Sequence, residues 1–322
     1  MTKVLVITNK SDITSDFIIR SLKKENIDFY RFNTEELTKS LELTIDLSSK
    51  KYSIFDSNQE LNIDLTSFSS VYYRRPELPL ISNEGLTNGE LKFIQNEIIF
   101  SLEGVYKILK NAYWISPLYS IREAENKIYQ LQLAESLGFK IPESIISNSA
   151  KNIRSFYSKN NEECIIKPVK SGLIDDEKES KVVFTNKLKI LPTSDNKIKV
   201  SPNFLQTEIK KKGDIRVIVV GNKIFSTLID SQSNDSTKTD WRKGEKPLNH
   251  QKINLPKQVE NKCISLLRKL NLRYGAIDFI LDKSGNYIFL EINPNGQWAW
   301  IENQTGYPIS KEIVTLLKNE NF

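Results

Sequence analysis

The sequence predicts an α/β (α+β) chain in three parts. A βαβ unit opens it, a small central segment follows, and a mainly antiparallel region closes it. Boundaries are expected at 1–118, 119–198 and 199–322. Three observations predict this order. "KVLVITN", "TSDFIIRSLKKEN" and "DFYRFN" switch from strand to helix period and back within residues 3–33. "IPESIIS", "NIRSFYSKN" and "ECIIKPV" alternate strand, helix and strand in the middle. The last third is dominated by two hairpin patterns, "GDIRVIVVGNKIFSTLID" and "YGAIDFILDKSGNYIFLEINPN".

Taken in order, the opening βαβ unit lacks G-x-G-x-x-G, so dinucleotide binding is not supported. "LELTIDL" and "YSIFDS" read as a hairpin, with "SSVYYRRPELP" after it. Leu91, Ile94, Ile98, Leu102 and Val105 fall at helical spacing behind the cap candidate Asn88, and Pro117 closes the first part. "IREAENKIYQLQLAESLGF" reads as one helix that ends near Gly138, a glycine suited to a C-cap. The polar stretch "KSGLIDDEKESKVVF" is expected to be a mobile loop leading into a strand. Beyond 199, helices at 256–270 and 309–318 interrupt the paired strands. No repeat or low-complexity tract occurs.

With 322 residues, 39% of them hydrophobic, and a mean hydropathy of −0.40, the chain suits a soluble globular protein of two or three domains. No apolar run approaches the roughly 20 residues of a membrane helix, and the N-terminus reads as a strand rather than a signal peptide. Cys164 and Cys263 lie far apart and His250 is the single histidine, so neither a disulfide framework nor a zinc site is expected. A cytoplasmic location is. The net charge of +6 attracts acidic partners. The basic residues are dispersed and no nucleic-acid-binding motif is present, so nucleic acid is not the expected partner.

The stretch "IFLEINPNGQWAWIE" ends an apolar strand in Glu291 and Asn293, where a buried carboxylate is costly without a positive partner. Counting back from a turn at Lys283-Ser284-Gly285-Asn286, with Asp282 paired to Tyr287, sets Asp278 directly opposite Glu291, with Asn293 on the same side. Like charges across a ladder destabilise it, so the pair shares a proton, separates or binds a cation. Asp, Glu and an Asn carbonyl are hard oxygen donors that suit Mg²⁺. A solvated sheet face, with both carboxylates on lysines, is the competing reading, and a one-residue bulge would defeat the register.

Cations for such a site have to come from other elements. Lys167 ends an apolar strand before Pro168, where it either reaches solvent or points at an anion. Lys127 sits in a helical pattern, where an exposed lysine is the ordinary reading. A tight Gly221-Asn222 turn pairs Val220 with Lys223 and sets Arg216 opposite Thr227, with Asp214 on the same face. An arginine alternating into a Val/Ile-rich strand calls for an ionic partner or a ligand. "KTDWRKGE" carries Asp240, Trp241 and Arg242, and a tryptophan anchor beside a solvated arginine explains it equally well.

In this order the pieces resemble an ATP-grasp ligase: the βαβ pre-domain, Lys127, Lys167 before a loop, "FLQTEIKKKGDIRV", Asp278, and "LEINPN". Within that superfamily, "VYYRRP", "DIRVIVVG", "DWR" and "EINPNGQWAWIE" resemble the microviridin-type (graspetide) peptide ligases, which make omega-ester-containing peptides. The resemblance implies an ATP-grasp fold with a pre-ATP-grasp domain, and ATP and Mg²⁺ as cofactors. It also implies macrocyclisation of a ribosomal precursor peptide, joining Asp or Glu side chains to Ser/Thr hydroxyls or Lys amines through an acyl-phosphate. By the same resemblance Lys127 and Lys167 contact ATP phosphates, and Gln206, Thr207, Glu208 and Ile209 form the hinge against adenine. Asp214 is a ribose or nearby polar contact, Asp278, Glu291 and Asn293 hold Mg²⁺, and Arg216 and Arg242 flank the γ-phosphate and acyl-phosphate. The loop behind Lys167 departs from the pattern, since only Gly172 stands where many such enzymes use several glycines.

A leader segment is expected to dock on the central part, a homodimer is implied, and a cationic groove would steer acidic cores inward. Arg74 and Arg75 are expected to make interdomain ion pairs, and His250 to lie at the surface. Of Trp298 and Trp300, one is expected in the core and the other against the nucleotide. The alternative is an ATP-grasp carboxylate–amine ligase acting on a small molecule or amino acid, which shares every nucleotide residue.

Overall fold

In the computed structural model, residues 2–82, 84–170, 172–174, 181–244 and 248–318 are described. The first sheet is parallel, in the order Asp28–Asn33, Lys3–Thr8, Ser70–Tyr73, Tyr113–Trp114. Its central strand is buried on both faces, as a covered parallel sheet requires. Helix Ile13–Lys24 completes the βαβ unit, with Asp12 accepting the Ser15 amide at its start. The hairpin Leu41–Asp46/Lys51–Asp56 forms as expected and gains a third strand, Leu61–Asp64. Helix Asn88–Ile108 is capped by Thr87 rather than by Asn88. Thr87 and Glu90 form a reciprocal box that satisfies two amides, which a single asparagine does not.

The expected helix at 121–139 is two helices, Leu118–Ala124 and Lys127–Ser136. Asn126 separates them, because its side chain accepts the Ile128 and Tyr129 amides at 3.1 Å and so starts a new helix. Gly138, at φ +76°, follows the second helix as expected. A small antiparallel sheet then runs Asn186–Leu188, Cys164–Lys167, Asn203–Thr207, Ser144–Ser147, with helix Ala150–Lys159 against it. Of the loop expected to be mobile, Ser171 and residues 175–180 lie outside the described residues.

Five antiparallel strands build the largest sheet, in the order His250–Lys252, Lys223–Ile229, Lys211–Val220, Tyr274–Asp282, Tyr287–Asn293. On one face Ile215, Val217, Ile277 and Phe279 share a core with Leu266 of helix Lys257–Lys269 and Leu131. On the other face Ile218, Val220, Tyr274 and Ala276 pack with Trp298, helix Ile309–Lys318, and Val4, Val6 and Ile18 of the first sheet and its helix. Helix Ala299–Thr305, just after the "EINPNGQ" motif, is an element the periodicity did not mark. Asp214, Arg216 and Asp278 belong to the second face, where it leaves the apolar core (alternation fixes this, residue by residue). Cys164 and Cys263 are free and buried, and no helix among the described residues is long and apolar enough to cross a membrane.

Candidate functional site

One rung of the large sheet carries the chemistry. Across adjacent strands Thr227 pairs with Arg216, Arg216 with Asp278, and Asp278 with Glu291. The Gly221-Asn222 turn gives the first of these pairings as expected. The last has an unexpected origin. The closing turn pairs Leu281 with Tyr287, one residue off the expected register, and a bulge at Leu290 then restores it. The two offsets cancel, and Asp278 still faces Glu291. A bulge of this kind re-aims side chains, and Leu290 and Glu291 both line the same cavity.

Strand Tyr287–Asn293 is the sheet's edge, and its free side is covered. The Gln130 side chain donates to Ile292 O at 2.9 Å and accepts from Ile292 N at 3.0 Å. Lys140 O accepts the Phe289 amide at 2.8 Å. Gln130 therefore fixes the residue between Glu291 and Asn293. A lone glutamine in a helical pattern gives no sequence signal of that task.

The carboxylates meet cations from four elements. Arg216 Nη1 donates to both Asp278 oxygens, at 2.8 and 2.7 Å. Lys127, the first residue of its helix, lies 3.3 Å from Glu291 Oε2 and donates to Pro168 O at 3.2 Å. Arg242 is held by Asp240 through two 2.8 Å bonds, with Nη1 3.9 Å from Glu291 Oε1. Lys167 stands over the Phe204 ring, 4.7 Å from its centre. Burial raises Asp278 above the usual range, Arg216 opposing this and the Glu291 charge adding to it. Burial also acts to raise Glu291, but Lys127, Lys167 and Arg242 together hold it below its ordinary value.

Asp278, Glu291 and the Asn293 amide offer hard oxygen donors, and the two facing carboxylates repel without a shared cation, so this set fits Mg²⁺. Among the described residues no three His, Cys, Asp or Glu side chains gather as a metal cluster. Arg216 Nε and the Thr227 hydroxyl are buried on this rung without a partner, polar groups left over by the fold itself.

Two cavities meet here. One, of about 400 Å³, is lined by Lys127, Lys167, Gln206, Asp214, Arg242, Asp278, Glu291 and Asn293 among others. Asp214 is buried and paired to Lys211 at 2.7 Å; burial raises its pKa against that pairing. Gln206 donates to Ser144 Oγ at 2.8 Å, while its Oε1 is buried without a partner. Thr207, Glu208 and Ile209 lie outside this lining. Glu208 pairs with Lys187 at 2.5 Å, and the Thr207 and Glu208 amides donate to Glu143 O and Glu163 O.

The second cavity, of about 510 Å³, holds Arg216 together with Arg75, His250 and Trp300. Sequence reasoning set His250 at the surface. Its ring instead packs 4.9 Å from Trp300, because strand His250–Lys252 joins the sheet beside Thr227. Trp298 is core as expected, whereas Trp300 borders the second cavity rather than the first. Arg74 is buried, 3.0 Å from Asp12, and donates to the carbonyls of Asn295 and Gly296; Arg75 makes no such pair.

A model of the RimK-like ATP-grasp domain matches residues 124–317, and one of the MvdD pre-ATP-grasp domain matches residues 3–122. Among the solved structures similar along the whole chain are the following two. One is a RiPP-associated ATP-grasp ligase of Chryseobacterium gregarium in complex with ADP and a leader and core peptide. It is 28% identical with a TM-score of 0.88, covering 100% of this chain and 98% of that one. The other is the macrocyclase MdnC of Microcystis aeruginosa bound with the precursor peptide MdnA. It is 28% identical with a TM-score of 0.86, covering 99% of this chain and 100% of that one. An uncharacterised protein of Mycoplasma genitalium is 36% identical over 87 residues, which are 27% of this chain and 29% of that protein, so the match spans under a third of that relative.

Proposed function

The chain belongs to the RimK-like ATP-grasp family, and we propose that it is an ATP-dependent macrocyclase of a ribosomally made precursor peptide. One observation carries the reading: the two cavities share a wall made of Trp241, Arg242, Asp278 and Asn293. ATP occupies the cavity of the lysines and the acidic pair, and the peptide enters the cavity of the arginines. Supporting this, the two similar structures described above were solved with peptides, one of them with ADP as well. The same fact favours a peptide over the small-molecule substrate of the alternative ligase.

A free carboxylate is a poor electrophile. In the proposed reaction a substrate Asp or Glu oxygen attacks the γ-phosphorus, ADP leaves, and an acyl-phosphate forms. A Ser/Thr hydroxyl or Lys amine of the same peptide then attacks the acyl carbon, losing its proton as phosphate departs. Lys127 and Lys167 bind phosphate oxygens, and Gln206, the one residue of the expected hinge that lines this cavity, borders the adenine, with Asp214 at the sugar. Asp278, Glu291 and Asn293 hold Mg²⁺, which when bound neutralises charge on the phosphates. Arg216 and Arg242, on the wall side, stabilise the transferring oxygens and the later oxyanion. Because both reacting groups belong to one peptide, proximity contributes much of the rate.

A cytoplasmic homodimer is part of the proposal. The two buried free thiols suit a reducing compartment. Helix Asn88–Ile108 leaves Phe93 and Phe100 65% and 72% exposed, seven residues apart on one face, an apolar surface that a second copy would cover.

The test is to incubate the purified protein with ATP, Mg²⁺ and the precursor encoded beside its gene, then weigh the peptide. The mass is expected to fall by one water per bond as ADP and phosphate accumulate. An unchanged peptide, with ATP consumed only when free amino acids are supplied, would transfer the assignment to the small-molecule ligase.

A further inference from the structure

The cavity lined by Arg216 contains a third arginine that the mechanism above leaves idle. Arg75 follows strand Ser70–Tyr73 of the N-terminal sheet and borders the 510 Å³ cavity with Arg216 and Arg242. Those two are engaged, Arg216 by Asp278 and Arg242 by Asp240. No described carboxylate ion-pairs with or hydrogen-bonds the Arg75 guanidinium: Asp12 is taken by Arg74, and Asp12 and Glu125 act on Arg75 only through their charge at longer range.

Its backbone is unusual as well. Arg75 stands at φ +44°, in the left-handed region, immediately before Pro76. That conformation is unfavourable for a residue with a β-carbon, and residues ahead of proline favour extended backbone. The strain is held from both sides. Arg74 N donates to Ile7 O at 2.8 Å, and Asn9 Nδ2 donates to Arg75 O at 2.7 Å. The Arg74 side chain then fastens this segment to the carbonyls of Asn295 and Gly296, beside the Asn293 end of the edge strand. One arginine is thus a buried tie, and the next is an exposed cation at the cavity edge. The partly enclosed position of the guanidinium lowers the Arg75 pKa, Arg74 and Arg216 adding to this and Asp12 and Tyr274 opposing it.

We propose that Arg75 binds a side-chain carboxylate of an acidic peptide in the second cavity, so that the N-terminal domain supplies part of the peptide-binding site. A guanidinium suits this because it grips a carboxylate through two charge-assisted hydrogen bonds. The inference rests on the peptide reading above and deepens it.

The test titrates the full chain, with ADP and Mg²⁺ present at low salt, with two synthetic probes. One is acetyl-Thr-Thr-Leu-Glu-Asp-Glu-amide, and the other is its twin with Gln and Asn in place of the acids. The variants are Arg75→Asn, chosen because asparagine tolerates positive φ, and Arg75→Lys, which keeps the charge. The wild type is expected to bind the acidic probe about tenfold tighter than the neutral one. Arg75→Asn should bring the two probes within about twofold, leaving ADP affinity and melting temperature unchanged, while Arg75→Lys recovers part of the discrimination. Discrimination that persists in Arg75→Asn, or is absent from the wild type, overturns the proposal. Failure of the macrocyclase reading looks different: the encoded precursor loses no water although acidic-probe binding still depends on Arg75.

Discussion

Lys167 carries a charge that its surroundings oppose. Burial at its strand end pushes the ammonium down to about 8, Glu291 drawing it back up while Lys127 and Arg242 add to the depression. The unfolded chain therefore holds more protons than the folded one between about 8 and the ordinary 10.5, so this lysine's contribution to stability rises with pH across that window. The free enzyme loses the cation over the same range, and kcat/KM for ATP is expected to fall above about pH 8. Lys167→Arg, which stays charged, should lack that limb. A limb at the same pH in both proteins would clear Lys167 of the effect.

Arg216 is argued at the same scale. Replacing it with alanine and Glu291 with glutamine should each reduce ligation by about a hundredfold or more. For stability the two differ. Arg216→Ala strands a buried Asp278 and should cost about 3–5 kcal/mol, whereas Glu291→Gln relieves Asp278 of a like charge but takes the ion pair from Lys127. Adding Asp278→Asn to Arg216→Ala should restore most of the stability and none of the activity, as read by urea melts and peptide mass. A double variant no more stable than Arg216→Ala would disprove the stranded-charge account.

At the scale of elements, the edge strand depends on what lies beside it. Its bulge at Leu290 brings Glu291 against Asp278, and Gln130 from a different domain segment clasps Ile292 between the two outer donors. Gln130→Leu keeps the volume but leaves a buried amide and a buried carbonyl unpaired, which should cost about 2–4 kcal/mol. Turnover should drop at least about tenfold as Glu291 and Asn293 lose their fixed spacing. A Gln130→Leu protein with native urea midpoint and turnover would show that the clasp holds nothing in place.

For the whole molecule, the catalytic wall stands where two cores part. One sheet face packs toward helices Lys127–Ser136 and Lys257–Lys269, the other toward the first sheet, and the charged rung lies where that second face leaves its core. Arg74 spans from the N-terminal sheet to the Asn295 and Gly296 carbonyls, so the position of that sheet bears on the site. The proposed dimer belongs to this scale. Phe93→Glu with Phe100→Glu is expected to convert a dimer into a folded monomer by light scattering, and an unchanged mass would exclude this helix face as the interface.

The sequence by itself determined the βαβ opening, both C-terminal hairpins and the pairing of Arg216 with Thr227. Those features follow from period and turn chemistry, which act over a few residues. It placed Asp278 against Glu291 through a turn register that is off by one, and the bulge that repairs it has no local signature in "IFLEIN". Only the tertiary structure decided that Lys127 meets Glu291 across 164 positions, that Gln130 holds Ile292, and that His250, Trp300 and Arg75 border one cavity. Contacts of that kind arise from how separate sheets and helices pack, and packing is fixed by the sum of many buried surfaces rather than by any one stretch of chain.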